Sequence, residues 1–228
     1  MRGLVSVVIP VRNGIKYLGE AIESVLGQAC ADIEVIVVDN GSTDGSQAVA
    51  ESFGAPVRMV HEARRGAAQA RNFGVNLARG EYLAFLDADD VWAPGKLQRQ
   101  MNELEARPDL DMVFTHGENF LSPELTEAQG NAVSFVAGAG PFILPSAMLA
   151  RRESFTRVGP LPNLREGEFI AWYGLAQSMG VRSEVIPETL LRRRVHLANS
   201  TRLQPRPGDL LRAAKMVLDR QRSSKGLA

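Results

Sequence analysis

The chain has 228 residues, of which 45% are hydrophobic and 23% are charged, so it can form one large domain or two small ones. Its 26 basic residues balance its 26 acidic residues, which argues against the overall positive field of many nucleic-acid-binding proteins. The single cysteine, Cys30, excludes a disulfide within the chain and fits a reducing compartment.

Short apolar runs alternate with helical patterns over the first half of the chain. The predicted strands cover 5–9, with Pro10 marking the exit, then 33–38, 57–60 and 82–86. The predicted helices are one capped by Asn13, one from the polar loop 40–46 to about Phe53, one over 67–78 and one opened by Pro94. The first of these has its apolar face at Ile15, Leu18, Ile22, Val25 and Leu26. This alternation predicts an α/β fold with three layers and a doubly wound, mostly parallel sheet.

The second half is less regular and predicts a smaller mixed region. Strands are expected over 112–115, 133–140, 146–150, 183–186 and 190–195, with a polar loop over 118–130. Helices are expected up to Val158, over 169–179 and, with an amphipathic pattern, over 209–220.

No apolar run reaches the roughly 18 residues that a membrane-spanning helix needs, and the run over 5–11 is too short for a signal peptide. We therefore expect a soluble, cytoplasmic protein. Basic residues in the last predicted helix leave open a peripheral membrane contact, and a homodimer contact is also left open.

Three carboxylates follow the fourth predicted strand within four positions, at Asp87, Asp89 and Asp90. Burying such a cluster without a cation would be costly, so we expect it at the mouth of a strand, facing a divalent metal that also binds substrate phosphates. The glycine-rich phosphate loops of dinucleotide-binding and P-loop proteins are missing. A cation, Mn²⁺ or Mg²⁺, would then have to neutralise a bound diphosphate.

Four segments in order resemble the motifs of family 2 glycosyltransferases, which have the GT-A fold. They are Val-Ile-Pro-Val-Arg-Asn at 8–13, Val-Val-Asp-Asn-Gly-Ser-Thr-Asp-Gly at 37–45, Gly-Ala-Ala-Gln-Ala-Arg-Asn-Phe-Gly at 66–74 and Leu-Asp-Ala-Asp-Asp at 86–90. The resemblance covers about residues 4–200. It implies a nucleotide-sugar-binding half over 1–110, an acceptor-binding half of the same domain over 111–204, and a C-terminal helix and tail over 205–228.

The resemblance also implies roles for the donor side. Asp39 matches the residue that hydrogen-bonds the nucleotide base, usually uracil, and Arg12 stands where an aromatic side chain often stacks on it. Arg71 matches an arginine near the base or the diphosphate. Asp87 matches the carboxylate near the ribose, and Asp89 the carboxylate that binds Mn²⁺ or Mg²⁺. The other donor-binding positions are Pro10, Asn13, Gly66 and Ala88.

The acceptor side resembles the family less closely. Glu168 falls where the catalytic base is expected, Gly167 replaces the acidic residue before it, and Glu166 is the competing candidate base. Asn40 stands where the family more often has aspartate. A late Arg-x-His-x-x-Asn segment implies that His196 reaches the metal or the diphosphate.

These features predict a metal-dependent, inverting glycosyltransferase that takes a sugar from a nucleotide-diphosphate sugar, with a UDP-linked donor expected first. The acceptor hydroxyl would belong to a saccharide, a lipid-linked glycan, a peptide or a small molecule, and no nucleic-acid partner is expected. Two other classes stay open. One is a nucleotidyltransferase on a similar sheet, which would release pyrophosphate, and the other is a non-catalytic nucleotide-sugar-binding module.

Overall fold

The computed structural model describes residues 3–29, 32–126, 129, 138–164 and 167–197. The strands are β1 (Val5–Val11), β2 (Ile33–Asp39), β3 (Val57–His61), β4 (Tyr82–Phe85), β5 (Val91–Trp92), β6 (Met112–Leu121), β7 (Ala139–Pro141), β8 (Leu149–Arg151) and β9 (Ser183–Val195). The helices are α1 (Leu18–Leu26), α2 (Ser46–Glu51), α3 (Ala67–Leu77), α4 (Lys96–Ala106), α5 (Arg152–Val158) and α6 (Glu168–Ser178), with a 3₁₀ turn at Pro145–Ala147. Cys30, Glu166, the helix expected over 209–220 and most of the strand expected over 133–140 lie outside the described residues.

The described strands form one sheet in the order β3-β2-β1-β4-β8-β6-β9-β5, with β7 paired to β6. The pairs among β1 to β4 are parallel, and so is β6 with β9, whereas β8, β7 and β5 pair antiparallel to their neighbours. A parallel α/β half is thus continuous with a smaller mixed half, which confirms the expected fold class.

The centre of the parallel half is apolar on both faces, as expected for strands covered by helices on either side. Val7, Val8 and Ile9 of β1 and Val35 to Val38 of β2 have no exposed surface. Helix α3 approaches β1 very closely at Gly74, where a Cβ atom would lie 2.3 Å from Cγ1 of Val8. The helix that carries Arg71 is therefore fixed directly on the central strand.

Pro10 does not end the first strand, which continues to Val11. The backbone N–H and C=O groups of successive residues in β1 point in turn toward β4 and toward β2. The Val8 carbonyl accepts from the Leu86 N–H on the β4 side, and the Val11 carbonyl accepts from the Asn40 N–H on the β2 side. The backbone nitrogen of Pro10, which has no hydrogen to donate, therefore faces the β4 side. The pairing of β4 with β1 has already ended there, at Phe85. The proline costs no ladder bond.

The first helix begins at Leu18, so the prediction that Asn13 caps it is wrong. Asn13 instead has a φ of 53°, a left-handed conformation that asparagine tolerates better than most residues. Its side chain accepts a hydrogen bond from the Thr43 backbone N–H at 2.8 Å. Ile15, predicted to lie on the buried face, is exposed. The helix after Pro94 likewise begins two residues later, at Lys96, after Gly95 in the left-handed conformation.

The second half differs more from the sequence prediction. Strand β6 continues through 118–121, part of the stretch expected as a loop, because it pairs with β9 as far as Val195. The two late strands expected over 183–186 and 190–195 are one strand, β9, whose register shifts against β6 near His116. The two-residue strand β5 is too short to leave a pattern in the sequence. No helix in the described part of the chain is long and apolar enough to cross a lipid bilayer.

Candidate active site

The loops that follow β1 and β2 are joined into one unit at the carboxyl edge of the sheet. The backbone N–H of Asn13 donates to Ser42 Oγ at 2.9 Å, and that of Ile15 donates to Asp44 Oδ2 at 3.0 Å. Together with the bond from Thr43 to Asn13, these contacts connect the exposed Arg12 and half-buried Pro10 to the end of β2. Ala88 packs near Gly14 of the same loop.

Asp39 is the last residue of β2 and is almost fully buried. Its Oδ1 accepts from the Ser42 backbone N–H at 2.9 Å, and its Oδ2 lies 3.2 Å from Nδ1 of His61 on β3. Burial would raise the pKa of the Asp39 carboxyl, but the hydrogen bonds from Ser42 and His61 outweigh it and lower the pKa. The side chain is therefore an ionised acceptor in a fixed orientation.

Asn40 holds the loop between β3 and α3. Its Nδ2 donates to the carbonyl oxygens of Glu62 and Arg64, each at 2.8 Å, and its Oδ1 accepts from the Gly66 N–H at 2.7 Å. An aspartate would lack both donors, so the departure from the family pattern has a structural reason here. Gly66 precedes α3 with a φ of 124°, which favours glycine.

Asp87, Asp89 and Asp90 form a turn after β4. The Asp90 N–H donates to the Asp87 carbonyl at 3.0 Å, and the Asp87 N–H donates to Ser146 Oγ at 3.1 Å. Asp87 and Asp89 are partly exposed, whereas Asp90 is buried. Its burial, and then the nearby charges of Asp89 and Asp87, raise the pKa of Asp90 well above its usual range.

Arg71 joins the two halves of the site. Its guanidinium group is buried and donates to Asp87 Oδ1 at 2.5 Å and to Glu168 Oε1 at 2.8 Å. Burial would lower the pKa of Arg71, but the two carboxylates raise it, so the guanidinium stays charged. A single side chain from α3 thus fixes one carboxylate of the parallel half and one of the mixed half.

Glu168 is the first residue of α6 and follows Gly167, which has a left-handed φ of 75°. An acidic residue in place of Gly167 would be strained in that conformation. Only 15% of the Glu168 side chain is exposed. Glu166, the other candidate base, lies outside the described residues.

Asp89 and His196 are the candidate metal ligands. Asp89 Oδ2 and His196 Nε2 are 3.0 Å apart. This contact is a hydrogen bond, and the same two atoms would hold the ion: a carboxylate oxygen suits Mn²⁺ or Mg²⁺, and an imidazole nitrogen suits a transition metal. Within the described residues no group of three or more acidic, histidine or cysteine side chains is placed to hold a metal. Substrate oxygens and water would have to complete the coordination, which is usual for Mg²⁺.

His196 is positioned by Tyr17 and by Arg194, the arginine of the late Arg-x-His-x-x-Asn segment. Its ring centroid lies 4.8 Å from that of Tyr17 at the start of α1. Arg194, two positions earlier on β9, is buried between the rings of Tyr17 and Phe120 and pairs with Glu20. Its backbone N–H donates to Asp90 Oδ1 at 3.1 Å and its Nε to the Asp89 carbonyl at 3.1 Å. These contacts hold the end of β9 against the turn formed by Asp87, Asp89 and Asp90, which we call the acidic turn.

The chain resembles known proteins in sequence. The family model described as Glycosyl transferase family 2 matches residues 6–157. Glycosyltransferase GlyG of Streptococcus pneumoniae is 32% identical in an alignment 186 residues long that covers 69% of this chain and 60% of that protein. An uncharacterised glycosyltransferase of Rickettsia felis is 36% identical over 135 residues, which are 58% of this chain and only 22% of that protein. The chain therefore spans less than two thirds of these relatives.

The fold also resembles solved structures at low sequence identity. Residues 1–349 of TarS from S. aureus, in complex with UDP-GlcNAc, superpose with a TM-score of 0.77 at 18% identity, covering 93% of this chain and 65% of that one. The mannosyltransferase PcManGT from Pyrobaculum calidifontis, in complex with GDP-Man and Mn²⁺, has a TM-score of 0.67 at 22% identity and covers 87% of this chain and 59% of that one. The family match covers more than half of the chain, and the chain belongs to glycosyl transferase family 2.

Proposed function

We propose that the chain transfers a sugar from a nucleoside-diphosphate sugar to an acceptor hydroxyl and inverts the anomeric configuration. The observation that carries the proposal is the Arg71 bridge, which connects Asp87 at the expected donor site to Glu168 at the expected acceptor site. A site that only binds a nucleotide would not need the Glu168 carboxylate, from the other half of the sheet, to be held beside the turn that contains Asp87.

On the donor side, Asp39 would accept a hydrogen bond from the nucleotide base, and Arg12 would stack its guanidinium on that base. Asp87 would contact the ribose. The remaining donor positions, Pro10, Asn13, Gly66 and Ala88, would line the same edge of the sheet. A UDP-linked donor is the first expectation, and the neighbours that carry UDP-GlcNAc and GDP-Man support a nucleotide-sugar donor without distinguishing the base.

On the metal side, Asp89 and His196 would hold Mn²⁺ or Mg²⁺, which when bound would supply positive charge against the departing diphosphate. The bound Mn²⁺ in PcManGT supports a divalent ion. Arg194 would keep both ligands in place through its contacts with the backbone of Asp89 and the side chain of Asp90.

On the acceptor side, Glu168 would take the proton of the attacking hydroxyl as the new glycosidic bond forms on the face opposite the diphosphate. Arg71 would hold the carboxylate in one orientation for that step. The acceptor class would be a saccharide, a lipid-linked glycan, a peptide or a small molecule.

Replacement of the base tests the proposal. We expect Glu168→Gln to lower the rate of transfer by about 10²- to 10⁴-fold, because the amide cannot take the proton. Release of nucleoside diphosphate from UDP- and GDP-sugars, with a panel of acceptors, measures the rate, and NMR of the product gives its anomeric configuration. Glu153→Gln is the matched control, since Glu153 also lies in the first turn of a helix, α5. Equal turnover by Glu168→Gln and wild type, with donor binding intact, would rule out this base, and a retained anomer would rule out inversion.

A further inference from the structure

His61 lies beside Asp39 at the carboxyl edge of the sheet, and its role is not explained by the reaction proposed above. The two residues are register partners on the parallel strands β2 and β3. Nδ1 of His61 lies 3.2 Å from Asp39 Oδ2. The His61 side chain is 59% exposed, whereas that of Asp39 is 7% exposed. A largely exposed histidine is therefore in contact with a buried carboxylate.

The direction of this hydrogen bond follows from the chemistry of the two groups. An ionised carboxylate only accepts hydrogen bonds, so Nδ1 of His61 must carry the proton that it donates. Asp39 is the ionised partner, because the hydrogen bonds that it accepts lower its pKa despite burial. One carboxylate oxygen is thus held by the Ser42 N–H and the other by His61.

The backbone gives His61 little freedom to leave this position. The next residue, Glu62, donates its N–H to the Asp39 carbonyl at 2.9 Å, and its carbonyl accepts from Asn40 Nδ2 at 2.8 Å. The backbone that carries the histidine is thereby fixed between the strand ladder and the Asn40 contact. Rotation of the Asp39 carboxylate would break its bonds with both Ser42 and His61.

We propose that His61 is a positioning residue for recognition of the nucleotide base. The inference rests on the proposed function, in which Asp39 contacts the base. His61 holds the carboxylate so that a free lone pair accepts the ring N–H of uracil, thymine or guanine. Adenine and cytosine present an unprotonated ring nitrogen at the corresponding edge, which an acceptor cannot bind. His61 therefore contributes to selectivity for bases that carry a ring N–H.

Two variants of His61 separate positioning from folding. His61→Leu removes the donor, whereas His61→Asn keeps an N–H at nearly the same place. We expect His61→Leu to weaken binding of the preferred nucleoside diphosphate, UDP or GDP, by about tenfold, in line with loss of a hydrogen bond to a charged group. The ratio by which this variant binds UDP or GDP more tightly than CDP and ADP should fall by a similar factor. His61→Asn should retain affinity to within about threefold of wild type.

Calorimetric titration with UDP, GDP, CDP and ADP in the presence of Mn²⁺ measures these affinities, and thermal unfolding checks that each variant is folded. His116→Leu is the matched control, because β6 is separated from β2 by three strands. In the transfer assay, His61→Leu should raise KM for the donor and leave kcat within about twofold of wild type. The reason is that the nucleotide base is remote from the anomeric carbon that reacts.

The outcomes separate this inference from the proposed function. If wild type binds UDP or GDP and His61→Leu binds it with the same affinity and base preference, the positioning role is wrong and the proposed function stands. Failure of a folded His61→Asn to retain affinity would also overturn the positioning role. If wild type binds neither these four nucleotides nor TDP, the proposed function fails, and this inference fails with it.

Discussion

Asn40 shows how much one side chain at the end of β2 contributes to the site. We expect Asn40→Asp to lower the free energy of unfolding by about 2–4 kcal/mol, because one buried and one part-buried carbonyl oxygen lose their donor and face a carboxylate instead. The Glu62 and Arg64 carbonyls are those two acceptors. Urea denaturation of the variant and wild type at pH 7 measures the difference.

Asn102→Asp makes the same chemical change at an exposed position of α4 and is the control for Asn40→Asp. Its side-chain oxygen, which accepts from Gln98, is kept. We expect a change below about 0.5 kcal/mol there. Similar stability losses at both positions would mean that the loop between β3 and α3 does not depend on the Asn40 amide.

The candidate site residues that the sequence identifies are those at strand ends and in ordered motifs. The structure brings Arg71, Asp87 and Glu168 within hydrogen-bond distance, although they are far apart in sequence. His61 was missed because a histidine at a strand end gives no signal until the register beside Asp39 is known. Arg194 belongs to the late Arg-x-His-x-x-Asn segment, but its partners from α1, β6 and the acidic turn are not evident from the sequence.

The packing of α3 on β1 depends on a helical glycine. We expect Gly74→Ala to destabilise the protein by about 1–3 kcal/mol, although alanine favours helix, because its methyl group would overlap the buried Val8 side chain. The Cβ would lie 2.3 Å from Cγ1 and 2.9 Å from Cγ2 of Val8. Thermal and urea unfolding measure the effect.

Gly19→Ala in α1 is the opposite case, since its Cβ would meet nothing closer than Val49 Cγ1 at 3.9 Å. We expect it to stabilise the protein by about 0.5–1 kcal/mol, because alanine restricts the unfolded chain and favours helix. A stabilising Gly74→Ala would show that α3 can move away from β1 at little cost.

Elements of the parallel half are predictable because each strand is a short apolar run and each helix has one apolar face. The elements predicted poorly are those whose limits depend on pairing. Strand β6 continues past its apolar part because β9 offers partners to Leu121, and β5 exists only through its pairing with Arg192 and Leu191. The start of α1 was misplaced because Asn13 is used in the contact between two loops rather than as a cap.

At the scale of the whole molecule, the parallel half and the mixed half of the sheet are held together at two levels. The antiparallel pairing of β4 with β8 continues the sheet from one half into the other. At the carboxyl end of β4, Arg71 joins Asp87 of the acidic turn to Glu168, the first residue of α6. Removing Arg71 would leave the Glu168 carboxylate, whose side chain is only 15% exposed, without its charged partner. Geometry at the site and stability of the fold are therefore coupled through one guanidinium group.

Lys96 makes the stability of the whole molecule depend on pH. It has no exposed surface, its Nζ lies 4.1 Å from the centre of the Trp92 ring, and it donates to Gln100 Oε1 at 2.8 Å. No carboxylate of the described residues pairs with it, and burial lowers the pKa of Lys96 well below 10.5. Between that lowered pKa and 10.5, the unfolded chain binds a proton that the folded chain does not.

The free energy of unfolding should therefore rise with pH over this interval, by up to about 1.4 kcal/mol per pH unit from this residue. We expect Lys96→Met to remove that contribution, so that the difference in free energy of unfolding between variant and wild type changes with pH between the lowered pKa of Lys96 and 10.5. Urea denaturation at several pH values measures it, and groups common to both proteins cancel in the difference. Lys16→Met, at an exposed lysine, should follow wild type over the same range. Parallel curves for Lys96→Met and wild type would show that Lys96 keeps its proton in the folded protein, with the Trp92 ring and Gln100 compensating for its burial.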